Sequence, residues 1–102
     1  MQHLTNMEIL IALVIDWAKK RGLDTADPTK QMLKVMEEVG EVASALAKDD
    51  KDELIDGIGD VVVTLIILAE QNGLTLKECL ESAYGEIANR KGKLINGIFI
   101  KD

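Results

Sequence analysis

Apolar positions recur along this chain at helical spacing, and the stop signals between them divide it into four helices. The first is capped by Thr5 or Asn6, carries Ile9, Leu10, Leu13, Val14 and Trp17, and stops near Arg21 at Gly22. Residues 23–27 read as a polar connection. Asp27 followed by Pro28 is an N-cap with proline in the first helical turn. The second helix runs to about Ala47, with Met32, Val35, Val39, Val42 and Leu46 spaced three and four residues apart, the period of a core-facing stripe. Residues 48–52 turn the chain, with Asp49 or Asp50 as the next cap, and a third helix reaches about Gln71 before Asn72-Gly73 ends it. Thr75 and Glu78 have the spacing of a capping box and open a fourth helix reaching about Arg90. In the tail, residues 93–102, Leu94-Ile95 and the run from Ile98 to Ile100 are apolar, so it reads as extended or docked on a partner. With no repeat and no dividing linker, residues 1–102 form one domain with an all-α, four-helix up-down arrangement.

Composition narrows the functional classes. A 47% hydrophobic content excludes a disordered chain, and only 3% aromatic residues suits helix packing better than a sandwich or barrel. At 102 residues the domain sits near the lower end of what buries a self-sufficient core. The net charge of −6 repels a nucleic acid backbone, which sets a DNA-binding regulator far down the order; a polyphosphate ligand needs a cation to mediate. The single cysteine, Cys79, forms no intrachain disulfide and reads as packing among Leu76, Leu80 and Ala83. His3 is the only histidine, which disfavours a structural zinc site. The apolar run from Ile9 to Ile15 is short and flanked by Glu8 and Asp16, unlike a membrane span or a signal peptide. The expectation is a soluble cytoplasmic protein without a membrane partner.

The chemistry concentrates in two acidic clusters. Glu37-Glu38-Val39-Gly40-Glu41 has the form EExxE and places Glu38 and Glu41 one turn apart, where like charges destabilise a helix unless a cation bridges them. A solvated acidic face is the plainer reading of such a triplet. On the third helix, Glu53, Asp56 and Asp60 fall within an arc of roughly 60°. Thr64 and Ile67 continue that stripe into Val61-Val62-Val63-Thr64-Leu65-Ile66-Ile67-Leu68, apolar on every side and so expected to be buried all round. Acids at the helix start complement its dipole, which accounts for Glu53 and partly for Asp56 but not for Asp60, two turns in. Clustered carboxylates at an apolar border call for basic partners, a raised pKa or a metal ion, and oxygen ligands without histidine suit magnesium, with manganese as substitute. A calcium loop is excluded, because counting from Asp50 its glycine position holds Ile55. Lys30 and Lys34 lie on the side of the glutamates, to meet phosphates or, for Lys34, to pair with Glu38. Trp17 either stacks on a base or packs in the core. Asn89, Arg90, Lys91 and Lys93 either meet substrate or complement the dipole of the fourth helix.

These residues together resemble a known family. EExxE on one helix, a short acidic turn and an acid-rich helix ending Gly-Asp-Val-Val-Val are similar to the MazG-type all-α nucleoside triphosphate pyrophosphohydrolases, from about Lys30 to Lys93. The likeness is strongest to small single-domain members, with Glu-Leu-Ile-Asp opening the third helix and Asn-Arg-Lys-Gly-Lys after the fourth. The resemblance implies magnesium held by Glu38, Glu41 and Asp60. The glutamate of the family's ExxD motif is replaced by Gly57, so Asp56, or the earlier pair Glu53 and Asp56, stands in. It implies hydrolysis of a nucleoside triphosphate between the α and β phosphates, with Glu37 or Glu41 orienting or deprotonating the water, and Lys34, Lys30, Trp17, Asn89 and Lys91 facing substrate. It also implies a homodimer or homotetramer, an oligomeric helical bundle. A non-catalytic oligomerisation module and a phosphoribosyl-ATP pyrophosphohydrolase-like enzyme are the rival readings.

Overall fold

The computed structural model describes residues 6–102. Helix α1 spans Met7–Lys19, and its cap is Asn6, whose side chain accepts from the Ile9 amide at 2.9 Å. Thr5, the other proposed cap, and His3 lie outside the described residues. A left-handed Gly22 ends the segment, and a 3₁₀ turn, Leu23–Thr25, occupies the connection read as merely polar. Helix α2 spans Pro28–Ala47 behind the Asp27 cap, and α3 spans Lys51–Gln71 behind Asp50. Helix α4, Leu76–Ile87, opens with both hydrogen bonds of the Thr75–Glu78 capping box. It ends at Ile87 rather than near Arg90, so Asn89 belongs to the turn that follows and Arg90 to the connection into the hairpin.

The tail is a β-hairpin. Strands β1, Gly92–Ile95, and β2, Ile98–Lys101, pair antiparallel, with Ile95 opposite Ile98. Asn96 and Gly97 between them both have positive φ, at 51° and 78°, as the commonest two-residue hairpin turn requires. The described residues therefore form four α-helices and a short hairpin, and the class remains all-α.

The antiparallel pair α2 and α3 forms the centre, with α1 and the 3₁₀ turn laid against α3. Gln31 reaches across to the Thr64 carbonyl at 3.1 Å, and the buried Gly57 lies against Val42. The face of α2 turned to α3 carries Gln31, Val35, Glu38, Val42 and Ala45. The predicted stripe shares only Val35 and Val42 with it, while Met32, Val39 and Leu46 remain exposed. The enclosed core is thin: Ala18, Val35, Ala45, Ile66, Ile67 and Ala69, with Thr64 and Glu38 as its polar members. The run of α3 read as apolar all round is half-open, since Ile66 and Ile67 are buried while Val62 and Leu65 face outward.

Among the described elements, helix α4 touches only α3, and the hairpin touches none. Leu80, Tyr84 and Ile87 form an exposed stripe on α4, and Leu94 and Phe99 are exposed on the hairpin. The chain has 8052 Å² of accessible surface, where a compact monomer of its mass has about 5,700 Å². Its radius of gyration is 16.0 Å, against about 13 Å for a compact domain of this length.

Gly57 sets how closely α2 and α3 approach. A Cβ there meets Val42 Cγ2 at 3.1 Å, and a helical valine has almost no alternative χ1 into which to retreat. Gly57→Glu is therefore expected to destabilise the fold by about 1–3 kcal/mol through overpacking, read as a lower urea midpoint. An unchanged midpoint would show that the helices separate freely.

Candidate functional site

The register of α2 on α3 brings together acids far apart in sequence. Glu38 and Glu41, one turn apart on α2, meet Asp60 of α3, and one carboxylate oxygen from each lies within 4.8 Å of the others. Glu38 is only 7% exposed. Its Oε1 is 3.4 Å from Lys34 Nζ, and its Oε2 is buried with no hydrogen-bond partner. A carboxylate oxygen taken from water without a donor is costly, and a cation among three carboxylates satisfies it. The donor set, all oxygen, fits a hard divalent ion.

Charge in the cluster is already strained. The Glu38 carboxylate beside it, which can accept a hydrogen bond from Glu41 only when Glu41 is protonated, and then the Glu38 charge, raise the Glu41 pKa above its ordinary value. Lys34 is held above its ordinary value by its hydrogen bond to Glu37, then by that charge and by Glu38. Glu37 Oε1 takes Lys34 Nζ at 2.8 Å, so the Lys34–Glu38 pairing considered from sequence is present but shared with Glu37. Asp60 is exposed in the single chain, because the apolar residues that follow it enclose α3 on one side only.

Asp60 stands on the wall of three adjoining cavities. The first, about 530 Å³, is largely apolar and extends from Glu38 and Asp60 past Thr64 and Ile67 to Gln71, with Trp17 at its side. Lys30 and Lys34 are its basic lining residues. The second, about 440 Å³, is polar and lined by Glu41, Ser44, Lys48, Glu53 and Asp56 among others. Glu53 and Asp56 thus sit beside the three-carboxylate cluster, and Glu53 is 3.6 Å from Lys48. The third lies between Trp17 on α1 and Val63 on α3.

The structure gathers Glu38, Glu41, Asp60, Asp56, Glu53, Lys30, Lys34 and Trp17 around these cavities. Glu37, Asn89 and Lys91 line none of the described cavities; Asn89 and Lys91 are exposed between α4 and the hairpin. Gln31 and Gln71 were not singled out from sequence. For Gln31 a signal was there: it lies seven residues before Glu38, hence on the same face of α2.

Antiparallel central helices thus hold a three-carboxylate cluster, a place that could take a metal ion, beside a ligand-sized cavity. Residues 26–95 match the family model of the MazG nucleotide pyrophosphohydrolase domain, more than half of the chain, and the protein belongs to that family. It is 41% identical over 70 residues to an uncharacterized 18.2 kDa protein in the rep-hol intergenic region of Haemophilus phage HP1. That stretch is 68% of this chain and 43% of the relative, so the chain spans less than half of the relative's length. No solved structure matches it significantly. Helix α1 and strand β2 lie outside the matched residues. Among the described residues no helix is long and apolar enough to cross a membrane.

Proposed function

We propose that this protein hydrolyses a nucleoside triphosphate at the α–β bond, giving a nucleoside monophosphate and pyrophosphate, with magnesium held by Glu38, Glu41 and Asp60. The observation that carries the reading is the buried Glu38 oxygen left without a partner in a cluster of three carboxylates, inside a chain of the MazG family. A magnesium ion there supplies neutralisation of the polyphosphate charge and activation of the attacking water. Asp56, one turn before Asp60, and Glu53 beside it are the further acids for a second ion or its waters. Glu41 is the exposed member of the cluster on α2 and is the residue to orient the water and take its proton. Glu37, bound to Lys34, instead holds that lysine beside the phosphates, where Lys30 joins it. The reaction adds one water across the anhydride, and the proton released passes to a carboxylate.

The same reading makes the protein a homo-oligomer. Its surface exceeds that of a compact monomer by roughly 2,400 Å², and the exposed stripes of α4 and the hairpin have no partner among the described residues. The Lys34 ion pairs are what a non-catalytic helical module would also contain, and they favour that second reading.

The deciding experiment is pyrophosphate release from ribo- and deoxyribonucleoside triphosphates and from phosphoribosyl-ATP, with and without magnesium. Magnesium-dependent release is expected. Its absence for every substrate, with a melting temperature indifferent to magnesium, would leave the structural module. The melting shift has a pH sign of its own. A carboxyl whose folded pKa is raised stabilises the apo fold below its ordinary range and loses that contribution as pH rises through the raised value. Protons and magnesium compete for the cluster, so the magnesium-induced shift should be small at about pH 4 and full at about pH 7.5. A shift that is the same at both would place the ion elsewhere.

A further inference from the structure

The β-hairpin lacks support among the described residues. A two-stranded hairpin alone is marginally stable in water, and this one touches none of the described helices. Side chains alternate across it, so the cross-strand neighbours Leu94 and Phe99 share one face, and Ile95, Ile98 and Ile100 share the other. All five are exposed, from 43% to 72%. The connection is tied to the end of α4, where the Arg90 amide donates to the Ile87 carbonyl at 3.0 Å. The hairpin is therefore carried off the C-terminal end of that helix.

A cover of matching character lies at the opposite end of α4. An apolar groove of about 290 Å³ runs between α3 and the start of α4, lined by Leu65, Leu68, Leu74, Leu76 and Cys79 among others. An apolar cavity of about 150 Å³ already takes a benzene ring, so this groove has room for a phenylalanine side chain. Helix α4 has 12 residues and is about 18 Å long, with the exposed stripe of Leu80, Tyr84 and Ile87 between the groove and the hairpin. A chain's own hairpin stays clear of its own groove. When two copies lay their α4 stripes together in antiparallel, the hairpin of each arrives at the groove of the other.

Charge selects the occupant and the orientation. Residues 88–102 carry Arg90, Lys91, Lys93 and Lys101 against Asp102, a net +3, which leaves −9 on the remainder of a chain of net −6. Parallel helices would set two basic hairpins side by side. Antiparallel helices set each hairpin against the acidic body of the other copy. The surface excess of roughly 2,400 Å² per chain is also of the size a stable pair buries.

We propose that two copies of this chain exchange their hairpins. Their α4 stripes pair in antiparallel, and the Leu94–Phe99 face of each hairpin seats in the α3–α4 groove of its partner. The exchange is reciprocal, so it closes as a two-fold pair and leaves neither groove open. The inference rests on the homo-oligomer reading and adds its contact; it does not depend on the reaction catalysed.

The test uses Cys79, the only cysteine, which lines the groove. Two cysteines join only when their Cα atoms are within about 7 Å and their Cβ atoms face each other. Mild oxidation of the full chain carrying Leu94→Cys should give a disulfide-linked dimer on a non-reducing gel. Adding Cys79→Ser should abolish it, and Lys93→Cys, on the opposite face of the hairpin, should not link. A second measurement needs no new cysteine. In the wild type, Cys79 should react with a thiol reagent at least about tenfold more slowly where the copies associate than after dilution, and Phe99→Asp should remove that protection. Equal linking from positions 93 and 94 overturns the exchange. A dimer in sedimentation that neither links through Cys79 nor protects it also overturns the exchange, but leaves the homo-oligomer standing. A monomer at every concentration overturns both.

Discussion

Glu38→Gln and Asp60→Ala are each expected to lower magnesium-dependent pyrophosphate release by about 100- to 1,000-fold, the range typical of removing one group that stabilises charge in a transition state. The two substitutions should part company in stability. Asp60 is exposed, and its loss leaves the apo melting temperature nearly unchanged. Glu38 is buried with one oxygen unpartnered beside two further carboxylates, and it shares Lys34 with Glu37, so neutralising it removes a charge from the helix interface that the lysine offsets only in part. The apo protein with Gln at 38 should therefore melt higher than the wild type while losing most of the magnesium-induced shift. That is the trade expected where a site is kept strained for function. Retained activity in Glu38→Gln, or a drop in its apo melting temperature, would show that Glu38 is a structural partner of Lys34 instead.

The second large effect concerns assembly. Leu80→Asp combined with Tyr84→Asp places two charges in the exposed stripe of α4. If copies of the chain cover that stripe, burying these charges costs several kcal/mol, enough to dissociate the assembly at micromolar concentration. Sedimentation should then report 11.2 kDa for the variant and a multiple of it for the wild type. The excess surface of roughly 2,400 Å² per chain, about twice that for a pair, lies in the range of obligate dimers. A wild-type chain sedimenting as a monomer would refute the oligomeric reading outright.

What was legible in the sequence is mostly what local chemistry decides. The start of α2 follows from Asp27-Pro28, and the start of α4 from Thr75 and Glu78, because a cap satisfies amides within its own turn. The face of α2 was read one position askew, because hydropathy assigns Gln31 and Glu38 to water while the fold turns both towards α3. Periodicity registers apolar residues, and this contact is partly polar. The same limit applies to Gln71, whose amide bonds a carbonyl 48 residues away. The tail's extended reading holds for both strands, and Asn96-Gly97 between apolar runs is the turn signal that pairs them. Glu38, Glu41 and Asp60 were singled out individually, but their meeting depends on the register of two helices, which no local signal fixes.

The close contact at Gly57 also couples that position to Val42. A glutamate at 57, where the resemblance to the family expects one, is not a neutral step while Val42 occupies the facing position. A smaller residue must first appear at 42, and until then that change by itself brings only a looser helix pair. The two positions are epistatic, and the order of substitution matters. A carboxylate added at 57 therefore depends on what stands at 42, whereas Asp56 and Glu53, both exposed, can be exchanged without that constraint.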